Sequence, residues 1–235
     1  MAFKILAIKG YAGAGKTTVE KTLQWLMSVD NDMSAFNDKV KSMLLNNKLI
    51  RYASPAKPMH VMYRSFADPL KDFLASLMDC HPDDLREQDV KESLQPDLFG
   101  DLTVRDMHLK IADAIKQCTG NEDIFANSMK RTIVRLKHEY RRQRAIQLYK
   151  NALFIIDDLR YPFEHEMLQH LVLEGVADDY VCLEVKKPNT KSIQHNSESE
   201  QSKIVPDFVY VNNYDLQNDL YQLQPIVCRL FTGLD

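Results

Sequence analysis

Gly10, Gly15, Lys16 and Thr17 stand at the spacing G-x-x-x-x-G-K-[ST] within the run Gly10-Tyr11-Ala12-Gly13-Ala14-Gly15-Lys16-Thr17-Thr18. Residues of these types at this spacing hold a phosphate chain. The glycines let the backbone curl until successive N–H groups point inward at an anion. The lysine reaches the β- and γ-phosphates, and the threonine hydroxyl ligates Mg²⁺. Gly10, Ala12, Gly13, Ala14, Gly15, Lys16, Thr17 and Thr18 are therefore the expected ATP-binding residues. Lys16 is also expected to act on the transferred phosphoryl group, and Thr17 to touch the metal. The flanks suit the pattern. Phe3-Lys4-Ile5-Leu6-Ala7-Ile8 reads as a buried strand leading in, and Thr18 to Met27 as a helix leading out, with Val19, Leu23, Leu26 and Met27 at helical spacing.

A second group of chemistry-bearing residues follows the apolar run Leu153-Phe154-Ile155-Ile156. Asp157 stands where a carboxylate at a strand end holds Mg²⁺, directly or through water. Asp158, Arg160 and Glu164 form D-x-R-x-x-x-E, which would put two acids and a cation in the mouth of one site. The planar fork of an arginine suits a phosphoryl group, because it donates two parallel hydrogen bonds. Asp158 and Arg160 are the expected catalytic partners of Lys16, and Asp157 with Thr17 the expected metal ligands. The plainer reading of the group is a salt-bridged turn between a strand and a helix.

The elements that must position these residues alternate. Val61 to Phe66, Leu153 to Ile156, Tyr180 to Val185 and Asp207 to Val211 read as further strands. Helices are expected from Asp68-Pro69 with a buried stripe of Leu70, Phe73, Leu74 and Leu77, from Thr103 to about Gln117, and from Asn121 or Glu122 as far as Lys150. Others are expected from Glu164 to Glu174 and from Tyr214 to Phe231, bent at Pro225, with one more within Phe36 to Leu49. His81 to Asp101 reads as irregular. Apolar strands alternating with helices predict an α/β fold in three layers, a central parallel sheet covered by helices on both faces, with the P-loop at the end of its first strand. Small helical substrate-binding and lid regions would be appended. Ligands of such sheets sit beyond the carboxyl ends of the strands, where every polar group named above falls.

Length and composition set bounds. A chain of 235 residues with 45% apolar content can bury one sizeable core. One kinase domain is expected over 1–235, with its core sheet in about 1–29, 59–80 and 151–235. A helical substrate-binding region would fill about 81–150, and a lid 187–203. The formal charge of −3 argues against nucleic acid as a partner. No apolar run approaches the ~20 residues of a membrane span. The chain enters its first strand at once, leaving no room for a signal peptide. Cys80, Cys118, Cys182 and Cys228 lack C-x-x-C spacing and read as reduced thiols of a cytoplasmic protein. The seven His residues show no metal-ligand clustering, so no zinc site is implied.

Taken together, these pieces resemble the phage-type deoxynucleoside monophosphate kinases. The carrying segments are Ser65-Phe66-Ala67-Asp68-Pro69-Leu70-Lys71-Asp72, Thr103-Val104-Arg105, Phe125, Asp158-Leu159-Arg160 with Glu164, and Lys187-Pro188 followed by His195-Asn196-Ser197-Glu198. The resemblance implies phosphoryl transfer from ATP, with Mg²⁺, to a (deoxy)nucleoside monophosphate. Small-molecule nucleotides would be the partners, a homodimer is admitted, and the location would be the host cytoplasm if the chain is viral. It assigns substrate binding to Arg105, Phe125, Asp158, Arg160, Glu164 and Phe66, with Arg105 and Arg160 on the acceptor phosphate. Phe125 would stack on the base, although it is equally well a core residue, and Phe66 is the lesser candidate for the same role at the second strand end. The chain departs from the family at Thr17, where aspartate is common, and at Leu109, Ala112 and Asp113, where glutamine and then glycine-threonine occur. Lys187 replaces an arginine, and Asp30 to Pro58 has no counterpart.

Other readings stay open. The acceptor could be a nucleoside, a coenzyme precursor or a nucleic-acid end, or the loop could serve a non-kinase assembly factor. The basic stretch Lys130 to Lys150 reads as a solvated helix face, as a source of phosphate contacts through Lys130, Arg131 or Arg135, or as a docking surface. Asn189 to Lys203, polar and without apolar periodicity, is the lid candidate.

Overall fold

The computed structural model describes residues 2–11, 13–27, 59–143, 151–188, 196–213 and 216–231. The segments expected to hold a helix within Phe36 to Leu49 and the first part of the lid, with His195, lie outside them, as does Ala12. The chain forms two compact units, residues 1–64 with 130–235, and residues 65–129.

The first unit is built on a five-stranded sheet in the order β2-β3-β1-β4-β5. The strands are β1 (Phe3–Lys9), β2 (Met59–Arg64), β3 (Asn151–Ile156), β4 (Asp179–Lys186) and β5 (Phe208–Val211). All four pairings are parallel, which makes this the α/β sheet that the alternation of elements predicts. Every residue of β1 and β3 is buried. Strands covered on both faces carry mainly apolar side chains on both, which is why β3 reads as an apolar run from Ala152 to Ile156 and β1 as one broken inside only by Lys4. One face of the sheet packs Leu6, Ile8, Leu153, Ile155, Val181 and Leu183 against Val19 and Leu23 of helix α1 (Lys16–Met27) and against the C-terminal helix Leu216–Phe231. On the other face the rings of Phe3 and Phe154 lie 6.4 Å apart. A helix at Pro162–Leu173 packs on β4, burying Leu168 and Leu171.

The second unit holds α2 (Asp68–Met78), a 3₁₀ turn at Asp84–Arg86, two one-turn helices α3 (Gln88–Lys91) and α4 (Pro96–Phe99), α5 (Val104–Thr119) and the first turns of α6 (Ile124–Gln143). The stretch expected to be irregular is thus ordered by short turns around a small core of Leu74, Ala75, Leu85, Phe99 and Val104. Thr103 starts α5 with a reciprocal capping box: its hydroxyl accepts from the Asp106 N–H, and the Asp106 carboxylate accepts from the Thr103 N–H. In α2 the expected stripe rotates. Leu70, Lys71, Leu74 and Ala75 are buried, while Phe73 and Leu77 are half-exposed. The carboxylate of Asp68 accepts from the Ser65 N–H and Arg86, and the buried Lys71 ammonium donates to the Ser65 hydroxyl at 2.7 Å and to Asp68 at 3.4 Å, which holds the lysine's face of the helix inward.

The remaining helices, α7 (Pro162–Leu173), α8 (Asn196–Gln201) and α9 (Leu216–Phe231), follow β3, β4 and β5. The last continues through Pro225. The helix expected as far as Lys150 is described to Gln143. Among the described residues no helix is long and apolar enough to cross a membrane.

The sheet core makes a simple stability prediction. Phe154 is fully enclosed, so Phe154→Ala should cost about 3–5 kcal/mol in chemical denaturation. Leu173→Ala, at an exposed position, should stay within about 0.5 kcal/mol.

Candidate phosphate-binding site

The glycine loop leaves the carboxyl end of β1, the middle strand of the sheet. Its curl is set by three glycines with positive φ: Gly10 at 148°, Gly13 at 75° and Gly15 at 97°. Gly10 has a second reason to be glycine, because a Cβ there would run into the backbone carbonyl of Val185 on β4. The loop closes with the Ala14 N–H donating to Tyr11 O at 3.1 Å, and α1 begins with the Val19 N–H donating to Gly15 O at 3.1 Å. Lys16 Nζ donates to Gly10 O at 2.5 Å and Tyr11 O at 3.0 Å. The lysine charge is thereby held over the loop. Thr17 and Thr18 are exposed in the first turn of α1, where the helix dipole favours anions.

The loop after β3 lies beside it. Ile156 pairs with Ala7 in the sheet register, and the Leu159 N–H donates to Ile8 O at 3.2 Å. Asp157 and Asp158 are partly buried at this strand end, and Arg160 is exposed. Among the described residues the Arg160 guanidinium makes no ion pair or hydrogen bond. Its backbone is fixed from below. Glu164, expected in the mouth of the site, instead lies buried under the loop. There its Oε2 accepts from the N–H groups of Arg160 at 2.8 Å and Tyr161 at 3.0 Å. Burial, reinforced by the Asp158 charge, pushes the Glu164 carboxyl up to about 8, against the opposing pull of the two N–H groups and the arginine. Its geometry makes it a support for Arg160.

The donors suited to Mg²⁺ on this rim are oxygens, the Thr17 hydroxyl and the carboxylate of Asp157, and Mg²⁺ is usually held by one or two such groups completed by substrate phosphates. Among the described residues no cluster of three or more His, Cys, Asp or Glu side chains could hold a metal unaided.

The other expected residues divide between the units. Arg105, Phe66 and Phe125 belong to the second. Arg105 pairs with Glu92 at 2.8 Å. Phe66 is only 4% exposed, so its ring is an interior side chain rather than an open face for a base. Phe125 is half-buried in the first turn of α6. The basic stretch resolves toward structure. Lys130 Nζ pairs with Glu174 at 2.7 Å, and buried Lys137 donates to Gly175 O at 2.8 Å. Both acceptors precede β4, at the end of the sheet away from the glycine loop, so Lys130 is no phosphate contact.

Three residues of this rim escaped the sequence reading. Lys9, 2% exposed at the end of β1, donates to Gln201 O at 3.2 Å and Ile204 O at 2.6 Å, and lies 3.6 Å from Glu184. Gln201 in turn donates to Leu159 O at 2.9 Å. These bonds tie the C-terminal part of the expected lid to the sheet. Asn212, just past β5, donates through Nδ2 to Ala14 O at 3.1 Å. The polar residue directly after an apolar strand was the available signal for Asn212; nothing local marks Lys9 or Gln201.

The raised Glu164 carboxyl gives a pH dependence with a definite sign. The folded chain keeps a proton that the unfolded chain releases at the ordinary carboxylate pKa, so this group's contribution to stability falls as pH rises from about 4.5 to about 8. Glu164→Gln should remove that slope. Denaturation midpoints of the two proteins should therefore diverge from pH 5 to pH 8 in favour of the variant, and parallel profiles would contradict the assignment.

No family model and no curated protein matches the sequence. Among solved structures, a cysteine-to-alanine mutant of the Mycobacterium tuberculosis APS kinase aligns over 97% of this chain and 98% of its own, at 10% identity and a TM-score of 0.39.

Proposed function

We propose that the chain is an ATP-dependent phosphotransferase whose acceptor is a (deoxy)nucleoside monophosphate. The observation that carries this reading is the pairing, on one sheet rim, of the glycine loop after β1 with exposed Arg160 after β3. Transfer between two phosphates asks little covalent help of a protein; it needs two anions held in line and their charge neutralised. In this reading the loop N–H groups, Lys16, Thr17 and Thr18 hold ATP. Thr17 and Asp157 hold Mg²⁺, which when bound neutralises the transferred charge. Arg160 takes the acceptor phosphate, kept in place by Glu164 beneath its backbone, and Asp158 bonds the acceptor's sugar or base. Arg105 and Phe125 complete the acceptor side by resemblance alone. The acceptor is the part with the least support, because Leu109, Ala112 and Asp113 replace the family's polar recognition positions.

The test is direct. Purified protein incubated with ATP, Mg²⁺ and each common nucleoside monophosphate should yield the diphosphate of at least one. ATP hydrolysis or tight ATP retention without transfer to any of them would reject a monophosphate acceptor. Lys16→Ala should lower turnover at least about a hundredfold. Arg160→Ala should lower kcat/KM for the acceptor about 10- to 100-fold while leaving ATP binding nearly unchanged, as expected for losing about 1.5–3 kcal/mol of charge-assisted hydrogen bonding. The reverse pattern would invert the donor and acceptor halves.

A further inference from the structure

Asn212 is held on two sides before it touches the glycine loop. Its N–H donates to Lys186 O at 2.7 Å. One residue earlier, Val211 is gripped by a side-chain amide of α9: the Val211 N–H donates to Gln222 Oε1 at 2.8 Å, and Gln222 Nε2 donates to Val211 O at 3.1 Å. From this fixed position Asn212 Nδ2 donates to Ala14 O, and it fills the space where a side chain on Gly15 would begin.

The bonded carbonyl belongs to the peptide joining Ala14 to Gly15. In a trans peptide the C=O and the following N–H point in opposite directions. Holding Ala14 O toward Asn212 therefore aims the Gly15 N–H away from it. Gly15 sits at φ 97°, and glycine crosses between backbone regions with little steric cost. Without a restraint this peptide could rotate and present a carbonyl, which repels phosphate, in place of a donor. Ala14 is 1% exposed, so water offers its carbonyl no substitute partner.

We propose that Asn212 is a positioning residue for the triphosphate site, a latch that fixes the direction of the Gly15 N–H, with Gln222 setting the latch's own position. The proposal rests on reading the glycine loop as the ATP site. The expected consequence is selective: weaker ATP binding with an unaltered acceptor side.

Two full-length variants test it. Asn212→Ala removes the donor, and Asn212→Asp keeps the size while replacing the donor with an acceptor. ATP·Mg²⁺ affinity by titration calorimetry should fall about tenfold or more in both, with the acceptor KM within twofold of the parent. In the protein without nucleotide, the amide resonance of Gly15 should shift and split in both variants as the peptide samples two orientations. An unchanged Gly15 resonance in both would overturn the latch, as would ATP affinity within twofold of the parent. Should the parent protein fail to bind ATP at all, the functional reading falls, while the Gly15 resonance still decides whether Asn212 holds the peptide.

Discussion

A single backbone contact organises the rim at the carboxyl ends of the strands. Where β1 ends, the chain at Gly10 runs so close to the Val185 carbonyl that no side chain fits between them. This approach lets the chain leave the sheet tightly enough to curl back over its own strand end. The Lys16 ammonium can then reach the carbonyls of Gly10 and Tyr11, and α1 starts with its N-terminus facing the same space. The all-parallel pairing makes the contact productive, because it brings the ends of β3, β4 and β5 to the same side as the end of β1.

Buried ionisable side chains do structural labour at both ends of the sheet. Lys9, Lys137 and Glu164 are each almost enclosed, and each meets backbone groups: carbonyls for the lysines, N–H groups for the glutamate. Lys4, enclosed at the opposite end of β1, donates to Arg229 O, and burial lowers its pKa despite the nearby Asp179 and Asp178. A charged side chain costs free energy to bury unless its bonding capacity is filled. Backbone groups at strand and helix ends provide that partner and are themselves in need of one. Segments with no apolar reason to stay together, such as 201–204 and the loop at Arg160, are thereby fastened to the sheet.

Much of this was legible in the sequence. The central strands announce themselves because burial on both faces favours apolar side chains, with Lys4 the one break inside β1, and the glycine loop because its curl admits few residue types. Elements set by local chemistry, such as the Thr103 start of α5, were legible for the same reason. Where contacts between distant segments decide, the pattern was silent or misleading. Asn212 and Ala14 are 198 positions apart. Glu164 has the spacing of a site acid, yet its burial beneath the loop is a property of packing. In α2, Ser65 and Asp68 hold Lys71 inward, the buried stripe rotates, and Phe73 and Leu77 turn outward.

Gln222 bears on one more property, the behaviour of the sheet as an open edge. Among the described residues β5 has a neighbour on one side only, and Val211 is one of the strand residues whose peptide groups point away from β4, since its neighbour Asn212 bonds toward it. An exposed strand edge is a template on which another chain can pair. Here the amide of Gln222 fills the donor and acceptor of Val211 together, as an incoming strand would. The helix that carries Gln222 therefore also closes this rung of the ladder to an incoming strand.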